Sequence, residues 1–466
     1  MKTRCRFGAL KPLPLVLALL VAGCMVGPDY QRPSMAVPAQ YKQAKGWTRA
    51  TPQDQLSKGE WWAVYGDPTL SSLLSQVKIS NQNVAQYDAL YRQARALTAG
   101  SRAKLYPSVT GTADTTRSGS AVSVDNTHKA EVSASWELDV WGKLRRTVEE
   151  NQASAQASAA ELANITLSAQ SELAQDYFQL RIMDQQIDLY RQSVEAYQRY
   201  LNVIDNKYRA GSESRATLAQ AQTQLESARA SALDLQWQRA QLEHAIAVLM
   251  GKSPAQFSLP VAPLIAPLPP IPETLPAQLL QRRPDIAYAE RNVASANAAI
   301  GVAEAAYYPD LTLSATGGFE SSTLHNLISL PNRVWSLGPE LSGTLLDFGA
   351  TKASVEQARA SYDASVASYR QSVLSAFQEV ENYLVELTTL ETEIGARQRA
   401  AQSAQESARV TYNQYQVGMI DYLDVATTQN TSLTQQQNLL SLRSTQWTAS
   451  VQLIVALGGG WHDENR

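Results

Sequence analysis

Three places in the 466-residue chain carry residue types that could do chemistry. Gly251-Lys252-Ser253 has the ending of a phosphate-binding loop, in which backbone N–H groups cradle phosphate and a lysine neutralises it. The glycine that such a loop needs five residues ahead of Gly251 is Ile246, and Gly251 ends a long glycine-free stretch, where it serves more simply as a helix cap. Gly458-Gly459-Gly460 reads the same way, as a C-cap running into a tail. The four histidines, His128, His244, His325 and His462, have no ligand spacing with one another or with cysteine. No enzyme, resident metal or bound cofactor is expected from this chain.

The remaining reactive residue is a cysteine. Met1 to Gly23 carries Lys2, Arg4, Arg6 and Lys11, no acid, and then an apolar run from Leu13 to Ala22. That is the pattern of a secretory signal, too short for a spanning helix. Its end, Val21-Ala22-Gly23-Cys24, resembles the bacterial lipobox, which implies cleavage before Cys24 and acylation of its thiol and new amino group. Two or more acyl chains, at roughly 0.8 kcal/mol per methylene, make residence in a bilayer effectively permanent. Met25 stands where an inner-membrane retention signal usually places Asp, so sorting to the outer membrane is expected. Cys5 leaves with the signal, and Cys24 then has no partner for a disulfide.

Composition removes other classes. The signal takes four basic residues and no acid, so 40 Lys+Arg against 43 Asp+Glu become 36 against 43. There is no basic face for nucleic acid. After the signal there is no apolar run of ~18 residues, so a membrane role must rest on an anchor or on β-strands.

An internal repeat sets the architecture. Gly142, Gly211 and Gly251 recur as Gly349, Gly418 and Gly458, each 207 positions later, with Tyr208-Arg-Ala-Gly211 matching Tyr415-Gln-Val-Gly418 and Leu138-Asp139-Val-Trp-Gly142 matching Leu346-Asp347-Phe-Gly349. Proline-rich residues 254–276 lie between the copies as an extended linker. Each copy offers two long helices that break at Gly211 or Gly418. The first copy has a heptad seam, Leu180/Met183, Ile187/Tyr190, Val194/Tyr197 and Leu201/Ile204, answered by Leu235, Leu242 and Leu249. The stretch from Gly142 to Arg209 would extend about 100 Å as a helix, several times a bilayer's ~30 Å core, and so belongs in water.

Ahead of each long helix the period changes to two. Val132, Ala134, Trp136, Leu138 and Val140 alternate with Glu131, Ser133, Ser135, Glu137 and Asp139; Leu311, Leu313, Ala315, Gly317 and Phe319 alternate with Thr312, Ser314 and Thr316. Tyr106-Pro107 and Tyr307-Tyr308-Pro309 precede the first strand of each pair. Transmembrane barrel strands have this pattern, and so do half-buried strands of a soluble sandwich. Two hairpins give four strands, which cannot close a barrel in lipid alone. A trimer would supply twelve, enough for an aqueous lumen, continued by twelve long helices.

The chain resembles the TolC-like outer membrane factor family, in its NodT-type lipoprotein branch. The resemblance rests on Cys24-Met-Val-Gly-Pro-Asp-Tyr30 with Pro33; on Trp61-Trp62, Tyr65, Asp67-Pro68 and Leu70; and on Arg282-Arg-Pro-Asp-Ile286, Ala289-Glu290, Ala296-Asn-Ala298, Ile300-Gly301 and Tyr308-Pro309. It implies an α+β membrane channel, a homotrimer with a twelve-stranded β-barrel continued by a periplasmic α-barrel. The partners it implies are a periplasmic adaptor, an inner-membrane transporter of RND type and outer-membrane lipid. The resulting layout is signal 1–23, acylated segment 24–66, first repeat 67–253 (hairpin about 105–140, helices about 142–250), linker 254–276, second repeat 277–460 (hairpin about 308–347, helices about 349–458) and tail 461–466.

The resemblance also implies a gate at the periplasmic tips, where the helices turn after Gly211 and Gly418 and where an adaptor would dock. Leu423 falls on the family's apolar constriction and Asp424 on an aspartate ring, which would favour cations on a threefold axis. Asp421 has a simpler reading beside a helix start, through the macrodipole. Thr427 replaces a second aspartate, and Ile420 replaces a basic residue that ties the tips in some members, which leaves a tie at Tyr415 without that partner. A periplasmic adaptor lipoprotein is the alternative; it would carry one helical hairpin, where this chain offers two.

Overall fold

The structure is a computed structural model, described here for residues 25–35, 60–264, 268 and 283–459. The signal 1–23, Cys24, linker residues 265–267 and 269–276, Gly460 and the tail lie outside the described residues. A 3-10 turn at Trp61–Tyr65 precedes α1 (Pro68–Ser80), α2 (Gln82–Ala103), β1 (Ser108–Gly119), β2 (Val124–Leu138), α3 (Lys143–Arg209), α4 (Arg215–Leu249), α5 (Pro284–Ala305), β3 (Asp310–Ser321), β4 (Arg333–Ser342), α6 (Ala350–Gln416) and α7 (Tyr422–Ala456).

The repeat is visible in element lengths: α3 and α6 each have 67 residues, α4 and α7 each 35. Helix α3 contains no glycine or proline, and α6 passes through Gly395 without a break. All four end alike. Gly211, Gly251, Gly418 and Gly458 have φ between 64° and 99°, each donating to the carbonyl three residues back, while the next N–H reaches five back, as Ser212 does to Lys207. This is the Schellman arrangement, which satisfies carbonyls that a helix end leaves open. The starts of α3 and α6 are fixed by carboxylates. Asp139 accepts from the amides of Leu144 and Arg145, and Asp347 from those of Gly349 and Thr351; the Thr351 hydroxyl, with these two amides, holds the Asp347 carboxyl down at about 2.

The chain divides into two compact units. The first, residues 1–35, 89–159 and 288–371, contains one antiparallel sheet in the order β1-β2-β3-β4. Register puts Ala134 opposite Val109 and Ala315, and Ala315 opposite Leu337. One face therefore carries Val109, Val132, Trp136, Leu311, Leu313, Leu337 and Leu341, the other Thr112, Glu131, Thr312 and Glu340. Val109, Leu337 and Leu341 are exposed in the single chain, so the apolar face is bare. Among the described residues no helix is long and apolar enough to cross a membrane.

The second unit, residues 36–88, 160–287 and 372–466, is helical with an aromatic centre. Tyr65, Phe178 and Trp447 stack with ring centroids 4.5–5.7 Å apart over fully buried Leu70, Leu74 and Leu173. Asp67 caps α1 through the amides of Thr69 and Leu70 and accepts the Tyr177 hydroxyl at 2.7 Å. Leu180, Tyr190, Tyr197 and Ile204 of the heptad seam are buried.

A charged clip ties the start of the linker to this unit. Asp184, nearly inaccessible, accepts from Arg239 at 2.6 Å and Arg181 at 3.2 Å. Arg181 and Arg239 donate on to the carbonyls of Pro260 and Leu259, and Glu243 accepts the Leu259 amide. Arg283 makes a two-pronged pair with Asp285, reaches Glu379 at 2.8 Å and donates to the terminal carbonyl of α7 at Ala456.

Candidate functional site

The tip of the second unit is built by two helix turns. Helix α4 starts with Ser214, whose hydroxyl accepts from the Thr217 amide, and α7 starts with Asp421 in the N-cap position with extended backbone and no side-chain cap bond. Their first turns pack Ala221 and Leu218 against Tyr422, Val425 and Ala426, with Ile204 and Tyr415 completing the cluster. Ile420 packs onto this cluster as an apolar residue, which accounts for the absence of a basic group there.

The tie at Tyr415 exists with a different partner. The Tyr415 hydroxyl donates to Glu213 Oε1 at 2.8 Å, and Lys207 Nζ lies 4.0 Å from the centre of the same ring. Burial, reinforced by the Glu213 carboxylate, pushes the Tyr415 hydroxyl well above its ordinary value, so it remains a donor at any physiological pH. Burial pushes Tyr422 up to about 12. Gln429 donates to the Tyr200 hydroxyl at 3.0 Å, and Gln224 to the Ala426 carbonyl at 3.3 Å, so three polar links join the two hairpins here. Glu213 had no signal in sequence: it sits in a Ser-Glu-Ser turn, 202 residues from Tyr415.

The other sequence candidates occupy the opposite side of the first turn of α7. Tyr422, Val425 and Ala426 are buried, whereas Asp421, Leu423, Asp424 and Thr427 are exposed. Leu423 keeps 60% of its surface in the single chain. The Thr427 hydroxyl donates to the Leu423 carbonyl at 2.8 Å. A Cβ at Gly211 or Gly418 would meet nothing, so positive φ is the reason for glycine there.

The first unit holds the segment that follows Cys24. The Val26 amide donates to the Trp141 carbonyl at 3.0 Å. Arg146, almost fully buried, donates to the carbonyls of Val26 and Gly27, to Asp29 at 2.9 Å and to Glu149 at 2.8 Å. Asn297 donates to the Pro28 carbonyl, Tyr30 to Glu290 at 2.6 Å, and Arg32 to Tyr369. Gly27 and Gly301 touch so closely that a Cβ on Gly27 would stand 2.4 Å from Gly301 Cα. The two motif groups Val26-Gly-Pro-Asp-Tyr30 and Glu290 to Gly301 are thus the two sides of one contact. Among the described residues no cluster of His, Cys, Asp and Glu could hold a metal ion.

The profile of the outer membrane efflux protein family matches residues 73–252 and 275–459. The cation efflux system protein CusC of Escherichia coli O6:H1 is 28% identical over 459 residues, covering 97% of this chain and 99% of that protein. The toluene efflux pump outer membrane protein TtgF of Pseudomonas putida is 30% identical over 466 residues, covering 96% of each. Among solved structures, the outer-membrane channel OprN superposes with a TM-score of 0.86 at 28% identity, over 94% of this chain and 100% of that one. With two helical hairpins, two strand pairs and these likenesses, the adaptor reading falls away, and the chain belongs to the outer membrane efflux protein family, whose members are channels.

Proposed function

We propose that three copies of this chain form the exit duct of a tripartite efflux pump, closed at its periplasmic tip by the exposed face of α7. The sheet's bare apolar face suits lipid, and its polar face a wet lumen. Residues 67–253 and 277–460 act as the two repeats of each protomer. The observation that carries the gate is the split of α7's first turn. Tyr422, Val425 and Ala426 serve the tip cluster, while Leu423 and Asp424 are exposed and lie outside it. Three Leu423 side chains meeting on the axis make an apolar constriction, and three Asp424 carboxylates beside it attract cations.

Opening follows from separating the second hairpin's tip from the first, which breaks the Tyr415–Glu213 bond. An adaptor bound at the turns around Gly211 and Gly418 supplies the differential contacts that favour the open tip. An inner-membrane transporter of RND type supplies the energy. Cys24 carries the acyl anchor, and the segment from Val26 to Arg32 fixes it to the body of the protomer. CusC and TtgF are named for a cation and for toluene, so this duct design passes unlike cargo, and selection belongs to the pump. The test is conductance in planar bilayers: Leu423→Ala with Asp424→Ala is expected to raise the closed-state conductance several-fold. An unchanged conductance would remove the gate from these residues.

A further inference from the structure

The two hairpins of the sheet are copies of one another, and one contact present in the first copy is missing its counterpart. The turns before β1 and β3 repeat bond for bond: Tyr106 donates to Ala103 and Tyr308 to Ala305, each followed by proline. The registers repeat too. Val109 faces Ala134 and Leu311 faces Leu341, so β1 falls on β3 with Tyr106-Pro107 on Tyr308-Pro309, and β2 falls on β4 with Trp141-Gly142 on Phe348-Gly349.

In the first copy Trp141 closes the junction between hairpins. Its ring stacks on Tyr308 with centroids 4.7 Å apart, and its Nε1 donates to the Pro309 carbonyl at 2.9 Å. The counterpart Phe348 is 94% exposed. The turn that carries it has the same length, but its cap aspartate stands one residue nearer the glycine, Asp347 before Gly349 against Asp139 before Gly142, and Phe348 between them has φ 51°, the one positive φ outside glycine among the described residues. Tyr106, the counterpart of Tyr308, is also exposed, as are Leu345 and Leu341 beside Phe348. Strands β1 and β4 are the two open edges of the sheet.

We propose that Phe348 seats against Tyr106-Pro107 of a second copy of this chain, and that this aromatic lock sets the register in which β4 pairs with the neighbouring protomer's β1. This rests on the trimeric channel reading and adds a register to it. Carrying the β2–β3 pairing across the repeat, Leu138 opposite Leu311 becomes Leu345 opposite the neighbouring protomer's Val109. Ala134 opposite Ala315 becomes Leu341 opposite its Ala113, and His128 opposite Ser321 becomes Trp335 opposite its Gly119. Every such pair puts apolar-face residues together. A slip of one residue would turn the whole apolar set of β4 to the polar face, so parity supports the register independently of the aromatic seat. Trp335 beside a glycine also has the room that its bulk needs.

The register can be read by disulfide trapping in the full-length protein in outer membranes, using cysteine pairs oxidised with copper phenanthroline. Two pairs, Leu341→Cys with Ala113→Cys and Ser342→Cys with Thr112→Cys, sample both alternating geometries of an antiparallel ladder. They are expected to give covalent dimers and trimers about tenfold more efficiently than Leu341→Cys with Gly111→Cys or with Thr115→Cys, whose Cβ atoms lie outside disulfide reach. Equal or better trapping of the shifted pairs overturns the register. So does a particle of trimeric mass in which no pair is trapped. A single-chain particle by light scattering overturns the channel reading and the lock with it. For the seat, Phe348→Ala and Tyr106→Ala are each expected to lower the dissociation temperature of the trimer, with the double variant no worse than the worse single. Strictly additive losses overturn the contact.

Discussion

Tyr415 on α6 and Glu213 in the turn before α4 are joined by a hydrogen bond of 2.8 Å between residues 202 positions apart. It links the outer end of one hairpin to the turn of the other, and its acceptor is a charge. A hydrogen bond to a charged partner contributes roughly 1.5–3 kcal/mol, more than a neutral one. At the tip, where Gln429–Tyr200 and Gln224–Ala426 are the other polar links described between the hairpins, a bond of that size decides which arrangement is populated.

Tyr415→Phe keeps the ring packing on Tyr422 and removes only the hydroxyl. The closed tip is expected to lose on the order of 1.5 kcal/mol, about a tenfold rise in open probability. Single-channel recording checks this, and Glu213→Gln should act in the same direction but less strongly, because an amide oxygen still accepts. Equal open probability in Tyr415→Phe and the parent would show that the bond does not hold the tip.

Asp176 on α3 is pushed up to about 6 by burial, with repulsion from Glu172 adding to it. A carboxyl whose folded value lies above its unfolded value of 3.8 is kept protonated by folding. Its favourable share is full below about 4 and is lost as pH rises through about 6. Asp176→Asn is therefore expected to stabilise the protein at pH 7.5 by on the order of 1 kcal/mol, discounted because the group is only partly buried, and to leave stability at pH 4 unchanged. Melting curves at the two pH values read the difference.

Much of this fold was legible because its signals are periodic. The heptad seam from Leu180 to Ile204 and the period-two runs around Trp136 and Leu313 each reflect a face that must be buried or wetted, and the recurring glycines mark Schellman ends. What could not be read are contacts between residues far apart with no periodic reason to meet. Glu213 is one such residue. Arg146 is another: on sequence it is one of several basic residues after Gly142, and only the folded chain brings it to the carbonyls of Val26 and Gly27. Asp421, Leu423, Asp424 and Thr427 were placed by resemblance, and the structure adds that all four avoid the protomer's own core.

Gly301→Ala tests the segment after Cys24. A Cβ there would lie 2.8 Å from the Val26 carbonyl oxygen and 2.9 Å from Arg146 Cγ, both held by the network they belong to. The segment must lift, and Arg146 then loses acceptors while buried. Faster hydrogen exchange at the Val26 amide and faster proteolysis within residues 25–33 are expected, with the tip cluster unaffected.

Asp184 gives the sharpest contrast between removing a charge and removing a clip. Asp184→Ala leaves Arg181 and Arg239 facing each other without their shared carboxylate, and loss of one partner from a buried ionic group costs about 3–5 kcal/mol. Asp184→Asn keeps the shape and one acceptor, so a smaller loss is expected. Asp184→Ala combined with Arg181→Met removes the stranded cation and fills its space, while Arg239 keeps its pair with Glu243, and should recover part of the stability lost in the single variant. It should not restore the hold on residues 260–262, because Arg181 donates to the Pro260 carbonyl and Asp184 accepts from the Ala262 amide. Thermal melting should therefore improve from the single to the double variant while protease cutting near Pro260 stays fast. If the two readouts recover together, the network acts as an ionic core feature alone and the linker is held by something else.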